Sequence, residues 1–278
     1  MLTQNQIKHI TALKVKKYRE EFSQFIAEGH KLVMDLINSE YKIKGIYASS
    51  EWIAENIPLI REKNIAVFET SPREMERISA LATHSPVLAV VHIPGSRIRK
   101  SEIRNPKSEI RNPANSLILA LDDIRDPGNL GTIIRIADWF GISRVLCSDT
   151  CVDLYNPKVV QATMGSVARV KVISCDLAET LSTLSGSPTL SGCSGFPVYG
   201  AYLDGDSIFL QTLTRHGIIV IGNESRGISP ELEPFITKKI SIPSFGNFAS
   251  GKAESLNAAI ATAIICAEFR KQIKITCH

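Results

Sequence analysis

The sequence predicts an α/β protein built from two successive units. Three observations carry that expectation. Short β-branched runs alternate with segments of helical periodicity along most of the chain, the pattern of sheets covered by helices. The rhythm is interrupted once, by a basic, proline-bearing stretch at 96–116, which separates residues 1–95 from residues 117–278. Finally, 278 residues with 44% hydrophobic content can fill one large core or two ordinary ones, and exclude disorder of the whole chain.

In the first unit a helix is expected near Thr3 to Leu13, then a strand in FSQFIAEG, a helix from His30 to Ile37 and a strand in KIKGIYAS. A helix near Glu51 to Lys63, a strand in IAVFE, a helix opened by Ser71-Pro72 and a strand in VLAVVHI complete it. Its N-terminal third is basic, with eight Lys or Arg between Lys8 and Lys44 against five acids. The connector then repeats a heptad, KSEIRNP, at Lys100 to Pro106 and again at Lys107 to Pro113. Residues 97–113 hold six basic and two acidic residues, so their excess of +4 equals the net charge of the whole chain. Either this linker touches a nucleic-acid backbone, or a duplication lengthened a solvated connector. A coiled coil is excluded, because each repeat carries a proline.

The second unit offers strands near LILAL, RVLC, ARVKVI, PVYGA and GIIVIG, with helices between most of them. Such alternation argues for a mainly parallel sheet covered on both faces. STLSGSPTLSGCSG, from Ser182 to Gly195, reads as a surface loop. The six cysteines, at 147, 151, 175, 193, 266 and 277, form no CxxC pair and have no histidine at metal-ligand spacing. They read as reduced thiols of a cytosolic protein, with no metal site. The N-terminus lacks the apolar core of a signal peptide, and the longest apolar run, Ala258 to Ala267, is too short to span a bilayer. The pI of about 8.7 permits an anionic partner without identifying one.

Three glycine-bearing loops of the second unit carry the chemistry. DPGNLGTIIR, from Asp126, lies between a strand and a helix, where open α/β sheets bind ligands, yet has GxxG rather than the GxGxxG of dinucleotide sites. Asp126-Pro127 is equally a good helix opening. Arg135 stands out among apolar neighbours, and a guanidinium there is expected to need an anionic or carbonyl partner. GNESRGIS, from Gly222, has phosphate-loop spacing without the phosphate-loop lysine, so a nucleotide-phosphate enzyme is disfavoured, while Asn223-Glu224 remains a usable polar pair. The stretch from Ile242 to Phe269 feeds a helix apolar on nearly every side, expected to be buried on more than one face, by the sheet and by a second subunit. Ser255 and Asn257 at its start are caps or site residues.

Taken in order, NLGTIIRIADWFG, VIGNESRGIS, and IPSFG with AESLNAAIATAI resemble the three motifs of the SpoU-type (TrmH-like) RNA ribose 2′-O-methyltransferases. The likeness covers about Leu117 to Gln272, and FIAEGHKLVMDLI looks like the start of the RNA-binding domain, similar to a ribosomal-protein fold, that precedes the catalytic domain in many members. The resemblance implies a parallel sheet whose C-terminal segment threads a loop to form a trefoil knot, with S-adenosylmethionine held there largely by backbone groups. These would be Tyr199, Gly200 and Ala201 in a loop after PVYGA, then Ile221 and Gly222, then Ile242, Gly246, Ser255 and Leu256. It also implies that Arg135 activates the ribose hydroxyl, with Asn129 and Glu224 in support and Ser255 and Asn257 completing a polar wall. A guanidinium holds its proton too tightly to be a good general base, so Arg135 is better read as a cation that stabilises the forming alkoxide. The third motif departs from the family pattern: NFASG stands between Gly246 and Lys252, so either Gly246 or Gly251 matches the family glycine. The family implies a homodimer packed through the knots, and an RNA partner, ribosomal rather than transfer RNA because of the added N-terminal unit. The alternatives are a tRNA ribose methyltransferase and a catalytically idle RNA-binding protein of the same fold.

Overall fold

The computed structural model describes residues 1–94, 116–185, 196–246 and 255–271. The duplicated heptad, most of the Ser- and Gly-rich stretch and the NFASG insertion with Gly251 lie outside them. The chain divides into two compact units, Met1–Arg97 with Asp153–Arg169, and Ile98–Val152 with Val170–His278.

The first unit runs α1 (Gln4–Ala12), α2 (Lys16–Phe22), β1 (Gln24–Glu28), α3 (His30–Ile37), β2 (Ile43–Ala48), α4 (Ser50–Glu62), β3 (Val67–Glu69), α5 (Pro72–Ile78) and β4 (Val87–His92). The strands pair in the order β1-β4-β2-β3, antiparallel except for β2 with β3. Alternation along the strands sorts the core onto two faces. Phe25, Ala27, Ala89 and Val91 meet α3 and α4 through Leu36, Val33 and Trp52. Ile26, Leu88 and Val90 meet α1 and α5 through Ile10 and Ile78. Capping boxes at Thr3 with Gln6 and at Ser71 with Glu74 start α1 and α5. The α2 helix is absent from the sequence expectation.

Asp153–Arg169, drawn from between two strands of the other unit, contributes Val160 and Val167 to the first of these faces. It contains a short helix, α7 (Pro157–Ala162). Its carboxylate at Asp153 takes two hydrogen bonds from Arg19, at 2.6 and 3.0 Å, and the same guanidinium donates to the carbonyls of Leu13 and Lys14 at 2.9 Å. Arg19 is only 3% exposed, and this full set of acceptors is what makes a buried guanidinium tolerable.

The second unit consists of β5 (Leu117–Leu121), α6 (Pro127–Trp139), β6 (Arg144–Cys147), β7 (Lys171–Ser174), α8 (Leu177–Ser185), β8 (Val198–Ser207), β9 (Gly217–Ile221), β10 (Lys238–Ser241) and α9 (Ala258–Lys271). The sheet order is β10-β8-β9-β5-β6-β7, and all five pairings are parallel. Ile118, Ala120, Val198, Ile218 and Val220 pack with Leu181 and Leu184 of α8 on one face. On the other, Phe269 of α9 stands edge-on to Tyr199 at 4.9 Å. Arg270 ties α9 to the end of α6 by donating to the carbonyl of Phe140 at 2.7 Å. Within the single chain the last helix is covered mainly on the side that faces the sheet and α6. Ala258, Ala259, Thr262, Ile265, Cys266 and Phe269 are buried, whereas Ile260 is 55% exposed. One side of an apolar helix therefore remains uncovered in the single chain. No described helix is long and apolar enough to cross a membrane.

Candidate active site

Strand order reverses between β5 and β9: from β5 the chain proceeds outward through β6 and β7, and returns on the other side through β8, β9 and β10. Loops leaving the carboxyl ends of strands at such a switch point diverge and open a crevice. Here the two loops are laced together. The Asp122 amide donates to the Ile221 carbonyl at 2.9 Å, the Ser229 amide to the Asp122 carboxylate at 2.7 Å, and the Asn223 side-chain amide to the Asp123 carbonyl at 2.9 Å.

The first loop ends in the helix opening expected from Asp126-Pro127. The Asp126 carboxylate accepts from the backbone amide of Asn129 at 2.8 Å. A Cβ on Gly128 would lie 3.0 Å from that carboxylate oxygen, close enough that the cap would have to shift slightly. With its backbone committed to the cap, Asn129 uses its side chain outward: its Nδ2 donates to Oε1 of Glu224, and its Oδ1 accepts from Nδ2 of Asn257 at 2.8 Å. Asn257 in turn caps α9, its Oδ1 accepting from the amides of Ala259 and Ile260 at 3.0 and 3.3 Å. Cap and site are thus one residue. The three sequence motifs meet in the relay Asn257 to Asn129 to Glu224.

Arg135 lies on the exposed stripe of α6 with Gly128, Thr132 and Trp139, while Leu130, Ile133, Ile134 and Ala137 form the buried stripe. The anionic or carbonyl partner expected for Arg135 is not supplied by the described part of the fold. Neighbours in sequence are not neighbours on a helix, and among the described residues the guanidinium has no hydrogen bond or ion pair. Ser255 is exposed and stands outside the relay.

The second loop closes on itself. Asn223 and Gly227 exchange backbone hydrogen bonds at 3.0 and 2.8 Å, and the Asn223 carbonyl oxygen of the side chain accepts from the amides of Ser225 and Arg226. Gly227 has φ +71, and a Cβ on Gly222 would come within 2.3 Å of the Gly227 backbone. Both glycines are demanded by this closure.

The expected loop after PVYGA is also revised. Tyr199 and Gly200 sit inside β8, paired with Ile219 and Val220 on one side and with Lys238 and Lys239 on the other. The ladder to β10 then skips: Ile240 pairs with Asp206, so Ala201 to Gly205 bulge out of it. Tyr199 is fully buried and its hydroxyl bonds Thr214 at 2.9 Å. Ile221 is buried with its carbonyl engaged by Asp122, Gly222 and Ile242 are half-buried, Gly246 is exposed and Leu256 is 45% exposed.

The acidic pair Asp122-Asp123, at the end of an apolar strand, escaped the sequence reading although it orders both loops. Asp123 is 7% exposed and has a left-handed backbone, φ 55. Cys151 is the other omission. Its sulfur accepts from the Ile124 amide and donates to the Leu121 carbonyl, both at 3.3 Å, buttressing the first loop from below. A hydrogen bond from Cys147, assisted by those of Ser148 and Ile124 against the cost of burial, brings its thiol down to about 7. Burial pushes Cys266 up to about 12. No cluster of potential metal ligands occurs among the described residues.

Comparison with known proteins places these features. Residues 116–267 match the model of the SpoU rRNA Methylase family, and residues 4–89 match that of the MRM3-like substrate binding domain. The chain is 26% identical to the 23S rRNA (guanosine(2553)-2′-O)-methyltransferase RlmP of Bacillus subtilis, over 95% of both proteins. A solved structure from Porphyromonas gingivalis, assigned to the TrmH family of RNA methyltransferases, is 36% identical with a TM-score of 0.78, covering 98% of this chain and 100% of that one. An AdoMet-bound rRNA methyltransferase from Sinorhizobium meliloti is 28% identical with a TM-score of 0.80, covering 98% and 97%.

Proposed function

The chain belongs to the SpoU rRNA methylase family, and from that premise we propose that it transfers the methyl group of S-adenosylmethionine to a ribose 2′-hydroxyl of ribosomal RNA. The observation that carries this reading is the relay Asn257 to Asn129 to Glu224, which joins three motifs far apart in sequence at one end of a parallel sheet. Ribosomal rather than transfer RNA is favoured by the substrate-binding unit at 4–89 and by a relative over 95% of both chains whose name specifies 23S rRNA.

The residues present fit the cofactor. Adjacent strands β10, β8 and β9 offer three backbone segments side by side: Ile242 to Gly246, the Ala201 to Gly205 bulge, and Gly222. Their backbone amides and carbonyls suit a purine and ribose, Leu256, 45% exposed, offers an apolar side chain, and Asp204 is the one charged residue in the three segments. When bound, S-adenosylmethionine would supply a methyl group on a cationic sulfur; that sulfur would depart as a neutral thioether, and the ribose hydroxyl would release its proton to water as its oxygen takes the methyl. Everything else is positioning and electrostatics by the chain. Glu224, fixed through Asn129, presents a carboxylate at the edge of the cradle. Arg135, exposed and without a partner among the described residues, acts as a cation rather than as the base: it stabilises the developing alkoxide and contacts the adjacent phosphate. Ser255 and Asn257 line the same edge.

The reading extends to the assembly. The C-terminal segment threads a trefoil knot, and two chains pack through the uncovered face of α9 and the exposed end of α6. This is supported by Ile260, 55% exposed, and Trp139, 86% exposed, on the stripe that also bears Arg135. The basic N-terminal unit grips RNA while the second unit acts, in the cytoplasm.

The test is to map ribose methylation in ribosomal RNA from cells lacking this protein. One 2′-O-methyl site should vanish and return with the wild-type gene. The Arg135→Ala protein should bind cofactor normally by calorimetry yet transfer methyl groups roughly a hundred- to a thousandfold more slowly, the scale of losing one transition-state charge contact. An unaltered methylation map, or undiminished transfer by Arg135→Ala, refutes the function or the role respectively. A tRNA substrate would instead show as a lost site in tRNA, and an idle binding protein would give no heat with millimolar cofactor.

A further inference from the structure

We propose that Arg125 and Arg226 form a two-armed grip on RNA phosphates beside the target nucleotide, and that Asp123 is the positioning residue that sets the arms. The proposal rests on the rRNA methyltransferase reading above and names how the site holds its substrate.

The arms come from different loops and converge on one carboxylate. Arg125, from the loop after β5, donates through Nε to Oδ1 of Asp123 at 2.8 Å. Arg226, from the loop after β9, brings Nη1 to 3.9 Å from Oδ2 of the same residue. The carboxylate is nearly enclosed, its side chain 10% exposed, whereas Arg125 and Arg226 are 58% and 70% exposed. A buried carboxylate needs one charged partner to offset its desolvation, and Arg125 at 2.8 Å meets that need. The second guanidinium exceeds it and leaves the cluster with net charge +1. A guanidinium has five N–H donors, and each arm spends few of them on Asp123, so the forks remain free for an oxyanion such as a phosphodiester.

Asp123 is built to hold still. Its left-handed backbone, φ 55, is uncommon for a residue with a side chain. It persists because the Asp123 amide donates to Ser148 Oγ at 2.9 Å and its carbonyl accepts from Asn223 at 2.9 Å. The arms also flank the relay closely in sequence. Arg125 immediately precedes Asp126, whose carboxylate holds Asn129, and Arg226 follows Glu224 by two positions. A phosphate held by either arm would therefore fix the nearby ribose against the residues proposed to act on it.

The experiment uses the full-length protein and ribosomal RNA, with Arg125→Ala, Arg226→Ala, the double variant, and Asp123→Asn alone and in the double background. Cofactor binding by calorimetry verifies that each variant is folded. Each arm variant should raise KM for RNA about tenfold while kcat stays within about threefold, the pattern of lost uniform binding. The slope of log affinity against log salt should fall by roughly 0.7 to 0.9 per arm removed. Asp123→Asn should raise KM in the wild-type background and have no effect once both arms are gone, and Arg→Lys at either arm should restore the salt slope. An unchanged KM in the double arm variant overturns the proposal. So does an Asp123→Asn penalty that persists without the arms, which marks a merely structural aspartate. If the wild-type protein transfers no methyl group to ribosomal RNA, the underlying reading fails and takes the grip with it.

Discussion

Asn129→Ala tests the relay most directly, because the structure separates its local cost from its functional one. The helix cap is unaffected: Asp126 accepts from the backbone amide of residue 129, which alanine retains. Asn257 still caps α9 through Oδ1. What disappears is one hydrogen bond to the Glu224 carboxylate and one from the Asn257 amide, at 2.8 Å. A hydrogen bond to a charged group contributes about 1.5 to 3 kcal/mol and a neutral one about 0.5 to 1.5 kcal/mol, and these partly exposed groups belong at the lower end. A combined loss of about 2 to 3 kcal/mol, felt where Glu224 and Asn257 must be held for the reaction, corresponds to a roughly 30- to 160-fold fall in kcat at about 1.36 kcal/mol per decade. Single-turnover transfer of labelled methyl groups from S-adenosylmethionine to ribosomal RNA measures it, with cofactor calorimetry as the control for folding. Glu224→Ala and the double variant close a cycle: if the two residues act as a unit, the double loss should stay near the larger single loss, with a coupling of about 0.5 to 3 kcal/mol. A fall below threefold, or losses that multiply, would refute the relay.

Arg19→Met strips Asp153 and two carbonyls of their buried partner and should cost about 3 to 5 kcal/mol in urea unfolding, whereas Lys16→Ala, which breaks an exposed pair with Glu20, should cost under about 0.5 kcal/mol; equal effects would contradict the burial argument. Cys151, with its thiol at about 7, becomes increasingly thiolate as pH rises through that value, so iodoacetamide labelling followed by peptide mass spectrometry should reach half its plateau rate near pH 7, while Cys266, at about 12, stays silent; a Cys151 midpoint near 9 would refute the hydrogen-bonded arrangement with Cys147. Trp139→Glu combined with Ile260→Glu should convert the proposed dimer to a monomer in sedimentation velocity, and an unchanged sedimentation coefficient would remove these residues from the proposed interface.

How far the sequence could be read depended on where the partners of each residue lay. The helix His30–Ile37 was legible at both ends because its signals are local, an apolar face with Gly29 before it and Asn38 after it. The α2 helix was not, because its buried position is Arg19, whose acceptor Asp153 comes 134 residues later. The β10 strand, KKIS, is four residues long with two exposed lysines, too short to show a period. The same distinction runs through the site. Asn129, Glu224 and Asn257 were identified as motif members, but their joining spans 95 and 128 residues and exists only in the fold. The exposure of Arg135 was not legible, because its apolar neighbours in sequence turn away from it on the helix. The glycines show the limit most clearly. Gly222 and Gly227 have the spacing of a phosphate loop, yet a Cβ on Gly222 would meet the Gly227 backbone at 2.3 Å. That spacing reports how the loop packs on itself. A glycine pattern identifies where a chain turns tightly; the ligand is decided by the side chains the turn carries, here two amides, a carboxylate and the arginines around them.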